Sequence, residues 1–135
     1  MPLAGSDAHG KKQGWAVAES APMFTGISLE DSRKIFAAAR VKSFVRGEML
    51  YLEGGTVEKV LLLISGMVKI TQLGPKGLQF TLRLAAPGDV LGAVSLFSSG
   101  RHCTTAQAIR RCWALVWDAR IFSLVRGICG WLVGQ

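Results

Sequence analysis

Metal-binding and acidic side chains are scarce in this 135-residue chain, and their scarcity sets the first limits. Its three cysteines, Cys103, Cys112 and Cys129, form an odd set with no C-x-x-C pair, which argues against a disulfide framework and against a thiolate zinc site. The two histidines, His9 and His102, lie far apart, so no histidine-rich metal site is on offer. Long apolar runs are missing too. A stretch such as VLLLI (Val60 to Ile64) is far below a membrane span, and residues 1–15 lack the apolar core of a secretory signal. These absences imply a reduced, cytoplasmic setting and no membrane anchor. Catalytic signatures are absent as well: there is no nucleophile elbow, no P-loop and no pair of carboxylates on a shared strand face. Asp89 and Asp118 fall at turn and helix-cap positions that already account for them, so the sequence predicts a protein that is not an enzyme.

Acid is short in one half of the chain only. Residues 1–67 hold eight Lys/Arg against seven Asp/Glu, whereas residues 68–135 hold eight against Asp89 and Asp118, which places six of the seven net positive charges in the second half. Such asymmetry points to an anionic ligand or partner, and equally to a solvated basic surface. With half of its residues hydrophobic, the chain is long enough for one well-buried core.

The order of elements follows from period and punctuation. Residues 1–22 mix Gly, Ala, Ser and charge without periodicity and read as disordered or loosely packed. From Ser28, an N-cap followed three residues later by Asp31, the apolar residues Leu29, Ile35, Phe36 and Ala39 predict a helix over about 29–40. Period two then takes over, with strands expected at 43–46, 49–52, 59–64, 104–109 and 113–118. MVKIT and LQFTLRL add two more, joined by a Gly-Pro turn. In the second of these, Leu78, Phe80, Leu82 and Leu84 are expected to face one interior. Gly47, Gly66, Gly77 and Gly88 mark the corners. After Asp118, helical spacing of Ile121, Phe122, Val125, Ile128, Cys129 and Leu132 predicts a closing helix that weakens near Gly127. Many short strands without intervening helices mean a mainly β protein whose sheet closes on itself.

The blocks FVRGEMLYLEGG, LLLISGMVKIT, LRLAAPGDVLGAVSLF and TAQAI…CWALVWD, in this order, resemble the effector domain of the Crp/Fnr family of transcription regulators from about Phe24 to Val125. The resemblance implies a cyclic-nucleotide-binding-type jelly roll, or double-stranded β-helix, with flanking helices. It also implies a domain over 23–126 and the start of a dimerisation helix, or a frayed tail, over 127–135. The family's usual partners would be a second copy, in a homodimer, and DNA, through a helix-turn-helix domain for which no pattern appears after Asp118. In nucleotide-binding members a phosphate cassette combines a helical turn with a ribose-binding glutamate, a phosphate-binding arginine and a hydroxyl. Here Gly92, Ala93, Val94 and Ser95 open the turn, Ala93 stands at the glutamate position, Cys103 at the arginine position, and Thr104 keeps the hydroxyl. Two missing contacts of roughly 1–3 kcal/mol each argue against tight cyclic AMP binding, while a small anionic effector or a weakly held cyclic nucleotide stays open.

Arg101, two residues before Cys103 and so on the same face of an extended segment, is a candidate substitute, though an arginine in a loop tip is more often solvated. Cys103 has two readings, a reactive thiol or a small buried apolar residue, and the second is the simpler. The family's iron–sulfur members place cysteines ahead of the roll, where residues 1–102 have none, which excludes that cluster. His102 or His9 leaves haem formally open, but a lone histidine in a polar loop is ordinarily exposed. A free-standing jelly-roll module that binds a small anion or a partner protein is the alternative to a transcription regulator.

Overall fold

The computed structural model describes residues 3–122, with side chains over 12–122 apart from Met23. Two helices, α1 (Leu3–Ser20) and α2 (Leu29–Ala37), precede eight strands. These are β1 (Arg40–Phe44), β2 (Met49–Tyr51), β3 (Lys59–Ser65), β4 (Val68–Leu73), β5 (Gln79–Ala85), β6 (Val90–Leu91), β7 (Thr105–Ala108) and β8 (Cys112–Asp118), with a short helix α3 (Ala93–Ser98) between β6 and β7. The strands form two four-stranded sheets in the orders β1-β8-β3-β6 and β2-β7-β4-β5, antiparallel throughout. Residues 119–122 are helical, and the rest of the expected closing helix, with the segment 127–135, lies outside the described residues.

The first sheet is apolar on both faces because both are covered. Val60, Leu62 and Ile64 of β3 and Leu115 and Trp117 of β8 pack under the helices with Ala18, Phe24, Ile35 and Phe122. Leu61, Leu63, Ala114 and Val116 point the other way, between the sheets, and meet Val68, Ile70, Ala85, Ala106 and Ala108 of the second sheet. This explains VLLLI: an uninterrupted apolar run suits a strand buried on both sides. Helix α2 starts where Ser28 Oγ accepts from the Asp31 N–H at 3.1 Å. Acidic residues in its first turn and Lys34 in its last suit the helix dipole. The Trp117 indole donates to the Ile35 carbonyl at 2.7 Å and ties the helix to the sheet.

Two expectations are corrected. The reading of 1–22 as disordered or loosely packed gives way to helix α1. Its glycines hide it from periodicity, yet they are part of what seats it. A Cβ on Gly14 would sit 3.0 Å from Leu115 Cδ2 and 3.3 Å from Ile64 Cδ1, so glycine lets the helix lie close on the sheet. Tertiary packing here outweighs weak intrinsic helicity.

The second correction concerns β5. Leu78, Phe80, Leu82 and Leu84 are each half exposed, not turned to one interior. Pairing with β4 sets their phase: Ala85 lies opposite Val68 and Arg83 opposite Ile70, so the inner face of β5 carries Arg83, and Leu84 shares the outer face with Lys69. A bulge then skips Leu82, and beyond it Phe80 lies opposite Gln72. Because β4 alternates regularly, Phe80 returns to the Ile70 side, and the four apolar residues are split between faces. Gln79 and Arg83 are exposed as well. As the edge strand of its sheet, β5 lacks a second neighbour to cover it.

Candidate functional site

Gly92 caps α3 in the left-handed region, at φ +95°, where a side chain is strained. A Cβ there would also sit 3.1 Å from the Lys59 carbonyl oxygen and 3.4 Å from His102 Cε1. Glycine therefore allows the cassette turn to lie against both β3 and the His102 ring. No side chain caps the turn. Ala93 is partly buried against the core beneath the helices, whereas Val94 is 82% exposed. Ser95, nearly buried, joins the two halves of the cassette. Its Oγ accepts from the Cys103 N–H at 3.3 Å and lies 3.4 Å from Cys103 Sγ.

Three sequence-named residues are thereby placed together: Gly92, Ser95 and Cys103. Cys103 is exposed, which corrects the reading of it as a small buried residue. Thr104 bonds through its hydroxyl to Tyr51. Arg101 turns elsewhere: its guanidinium donates to the Gly54 carbonyl at 3.0 Å, and its backbone pairs with Thr56. That geometry holds it on the loop after β2, so it does not replace the missing arginine.

Sequence reasoning missed the inner row of the second sheet. Across the second sheet, one inward row runs Tyr51, Ala106, Ile70, Arg83, each opposite the next. Small and aliphatic side chains occupy its middle, and a phenol and a guanidinium stand at its ends. His102 is only 5% exposed and stacks on Tyr51, ring centroids 3.8 Å apart and planes 7° from parallel. The expectation of an exposed loop histidine is thus corrected. Burial lowers its pKa, so the imidazole is held neutral, and its Nδ1 is buried without a hydrogen-bond partner. Tyr51 has its pKa raised by burial, against the Thr104 hydrogen bond and the nearby Arg83 charge, which both lower it. A signal for Tyr51 did exist: it is the sole tyrosine, two residues past Met49 in an alternating segment. Nothing local marked Arg83, whose inward direction comes from pairing alone.

Arg83 is engaged by the turn that precedes β6. Its guanidinium lies 3.3 Å from an Asp89 carboxylate oxygen that also accepts the Ala86 N–H at 2.9 Å. Among the described residues no group of three or more His, Cys, Asp or Glu is placed to hold a metal, and no helix is long and apolar enough to cross a membrane.

Eight antiparallel strands rolled around a glycine-capped helical turn define a jelly roll of the cyclic-nucleotide-binding type. The chain belongs to the cyclic nucleotide-binding domain family, whose profile matches residues 41–125, and the Crp/Fnr resemblance fits that assignment. It is 28% identical over 98 residues to the CRP-like cAMP-activated global transcriptional regulator of Mycobacterium tuberculosis, covering 73% of this chain and 44% of that protein. In structure it is similar to the Thermus thermophilus catabolite activator protein, with TM-score 0.76 and 20% identity over 84% of this chain and 54% of that one. It is also similar to the regulatory subunit of a cAMP-independent protein kinase A from Trypanosoma brucei, with TM-score 0.82 and 15% identity over 96% and 48% of the two chains. The chain spans under half the length of the curated bacterial relatives it matches.

Proposed function

We propose that this chain is the effector-sensing domain of a Crp/Fnr-type transcription regulator whose phosphate cassette no longer holds cyclic AMP tightly. The observation that carries the reading is the pair Ala93 and Cys103. One offers the ribose no carboxylate, the other offers the phosphate no cation, and Arg101 is bonded away from both. The turn that would carry a phosphate is present, while its charged contacts are not. Regulation by binding rather than catalysis agrees with the Mycobacterium tuberculosis relative, which is named as a transcriptional regulator. In this reading the domain acts within a homodimer and reaches DNA through a helix-turn-helix domain of the family's kind.

Calorimetric titration with cyclic AMP and cyclic GMP tests the cassette reading. Two lost contacts of roughly 1–3 kcal/mol each weaken binding by about one to four powers of ten relative to a complete site. Weak or undetectable heat is expected. Micromolar binding of either nucleotide by the unaltered chain would overturn the reading.

A further inference from the structure

We infer that the inner row of the second sheet takes a small oxyanion, carried by a carboxylate or a phosphate, and that Arg83 on β5 is the residue that holds it. The inference rests on the altered-cassette reading and deepens it: the positive charge lost at position 103 is met from the edge strand of the second sheet.

Several observations point to Arg83. Its place opposite Ile70 is the inner face of the sheet, since Ile70 is buried between the sheets. It ends the same row as Tyr51, whose pKa burial raises on balance while the Thr104 hydrogen bond and then the Arg83 charge act the other way. Between them stand Ala106 and Ile70, so the row has two polar ends and an apolar middle. The hydroxyls of Tyr51, Thr104 and Ser95 supply neutral partners for the uncharged part of a ligand.

The present partner of Arg83 is replaceable. Its side chain is 52% exposed and that of Asp89 is 42% exposed, and an ion pair so open to water is weak. Asp89 does not depend on it, because the same carboxylate oxygen is bonded to the Ala86 N–H of its own turn. An incoming oxyanion can therefore take the guanidinium from Asp89 without opening that turn. An arginine fork suits this exchange because it binds carboxylate or phosphate through two parallel N–H groups.

The test titrates the full chain with succinate, inorganic phosphate and cyclic AMP, and repeats it on four variants whose folding is checked by circular dichroism. At least one of the two oxyanions is expected to bind with a Kd on the order of 1 mM. Arg83→Gln should weaken that binding at least tenfold, whereas Arg101→Gln should leave it within twofold. Asp89→Asn, which keeps an oxygen for the Ala86 N–H and removes the competing charge, should strengthen it about threefold. Glu30→Gln, a remote loss of one negative charge, should leave it unchanged. Succinate against phosphate separates the two ligand sources. Absence of binding by both oxyanions, or equal binding by the Arg83→Gln variant, overturns the inference. Micromolar cyclic AMP binding by the unaltered chain instead overturns the cassette reading, so the two failures are told apart.

Discussion

Putting back the two missing side chains, Ala93→Glu with Cys103→Arg, should create cyclic AMP affinity on this scaffold. The structure has room for both. Cys103 is exposed, with Sγ 3.4 Å from Ser95 Oγ and its carbonyl accepting from Gln72 Nε2 at 3.0 Å, so an arginine there extends over the turn without entering the core. The Cys103 N–H bond to Ser95 Oγ belongs to the backbone and survives the change. Ala93 is the first residue of α3, where a carboxylate gains about 0.3–1 kcal/mol from the helix end. It is also partly buried against the core, so the glutamate must leave through the pocket side, which is where a ribose would meet it.

Each restored contact is worth roughly 1–3 kcal/mol, so the double variant should gain about one to four powers of ten in affinity. Calorimetry on the parent, both single variants and the double variant measures the gain, and whether the halves add. The two changes address different groups of the nucleotide, and near-additivity is the expected result. A shortfall means that the two introduced charges pair with each other. A double variant that keeps the parent's circular dichroism and tryptophan fluorescence yet shows no gain would refute the reasoning, because the obstacle would then lie in the inner row of the second sheet.

Three stability predictions stand beside it. Gly66→Ala puts a side chain at φ +96° whose Cβ would collide with the Arg111 carbonyl oxygen and lie 2.7 Å from Cys112 Sγ; a loss of about 3 kcal/mol or more in urea denaturation is expected. Trp117→Phe removes the indole donor of the Ile35 carbonyl, which keeps the Ala38 N–H at 3.2 Å, and opens a void between α2 and the first sheet, for a loss of about 2–4 kcal/mol. His102 is held neutral by burial, so its folded pKa lies below the unfolded value of 6.5 and the unfolded chain binds the proton first. Its contribution is complete above pH 6.5 and is lost as pH falls through the folded pKa. The melting temperature of His102→Phe, which keeps a ring on Tyr51, should therefore fall less steeply than the parent's below pH 6.5, and equal slopes would count against a titrating His102.

The fold was legible wherever a local pattern coincided with its tertiary surroundings. Strands β3 and β8 are apolar on both faces and sit between two packed layers, so their sequence announces them. Ser28 names the start of α2 because capping is a contact between residues three apart. Helix α1 was not legible, since Gly14 and the small residues around it weaken a helix in isolation and help it only once a sheet is underneath. Strand β6, two residues long, is defined by its partner β3 more than by its own composition.

The site divided along the same physical line. Its cassette is contiguous in sequence, so Gly92, Ser95, Cys103 and Thr104 could be named before any pairing was known. Its inner row comes from β2, β7, β4 and β5, and which side of each strand faces inward depends on register. Alternation in LQFTLRL signals a strand but not its phase, and a shift of one residue exchanges the faces. Hydrophobicity chose Leu84 for the interior, whereas pairing with Val68 and Ile70 chose Ala85 and Arg83. The cost of exposing the leucines is borne on an edge strand, where an outer face lies open in any case. An arginine on the inner wall would be hard to keep in a wholly apolar core, but beside Asp89 at the open rim it stays half in water. The residue that most changes the chemistry of this pocket is therefore one that its own strand's hydrophobic pattern assigns to the outside.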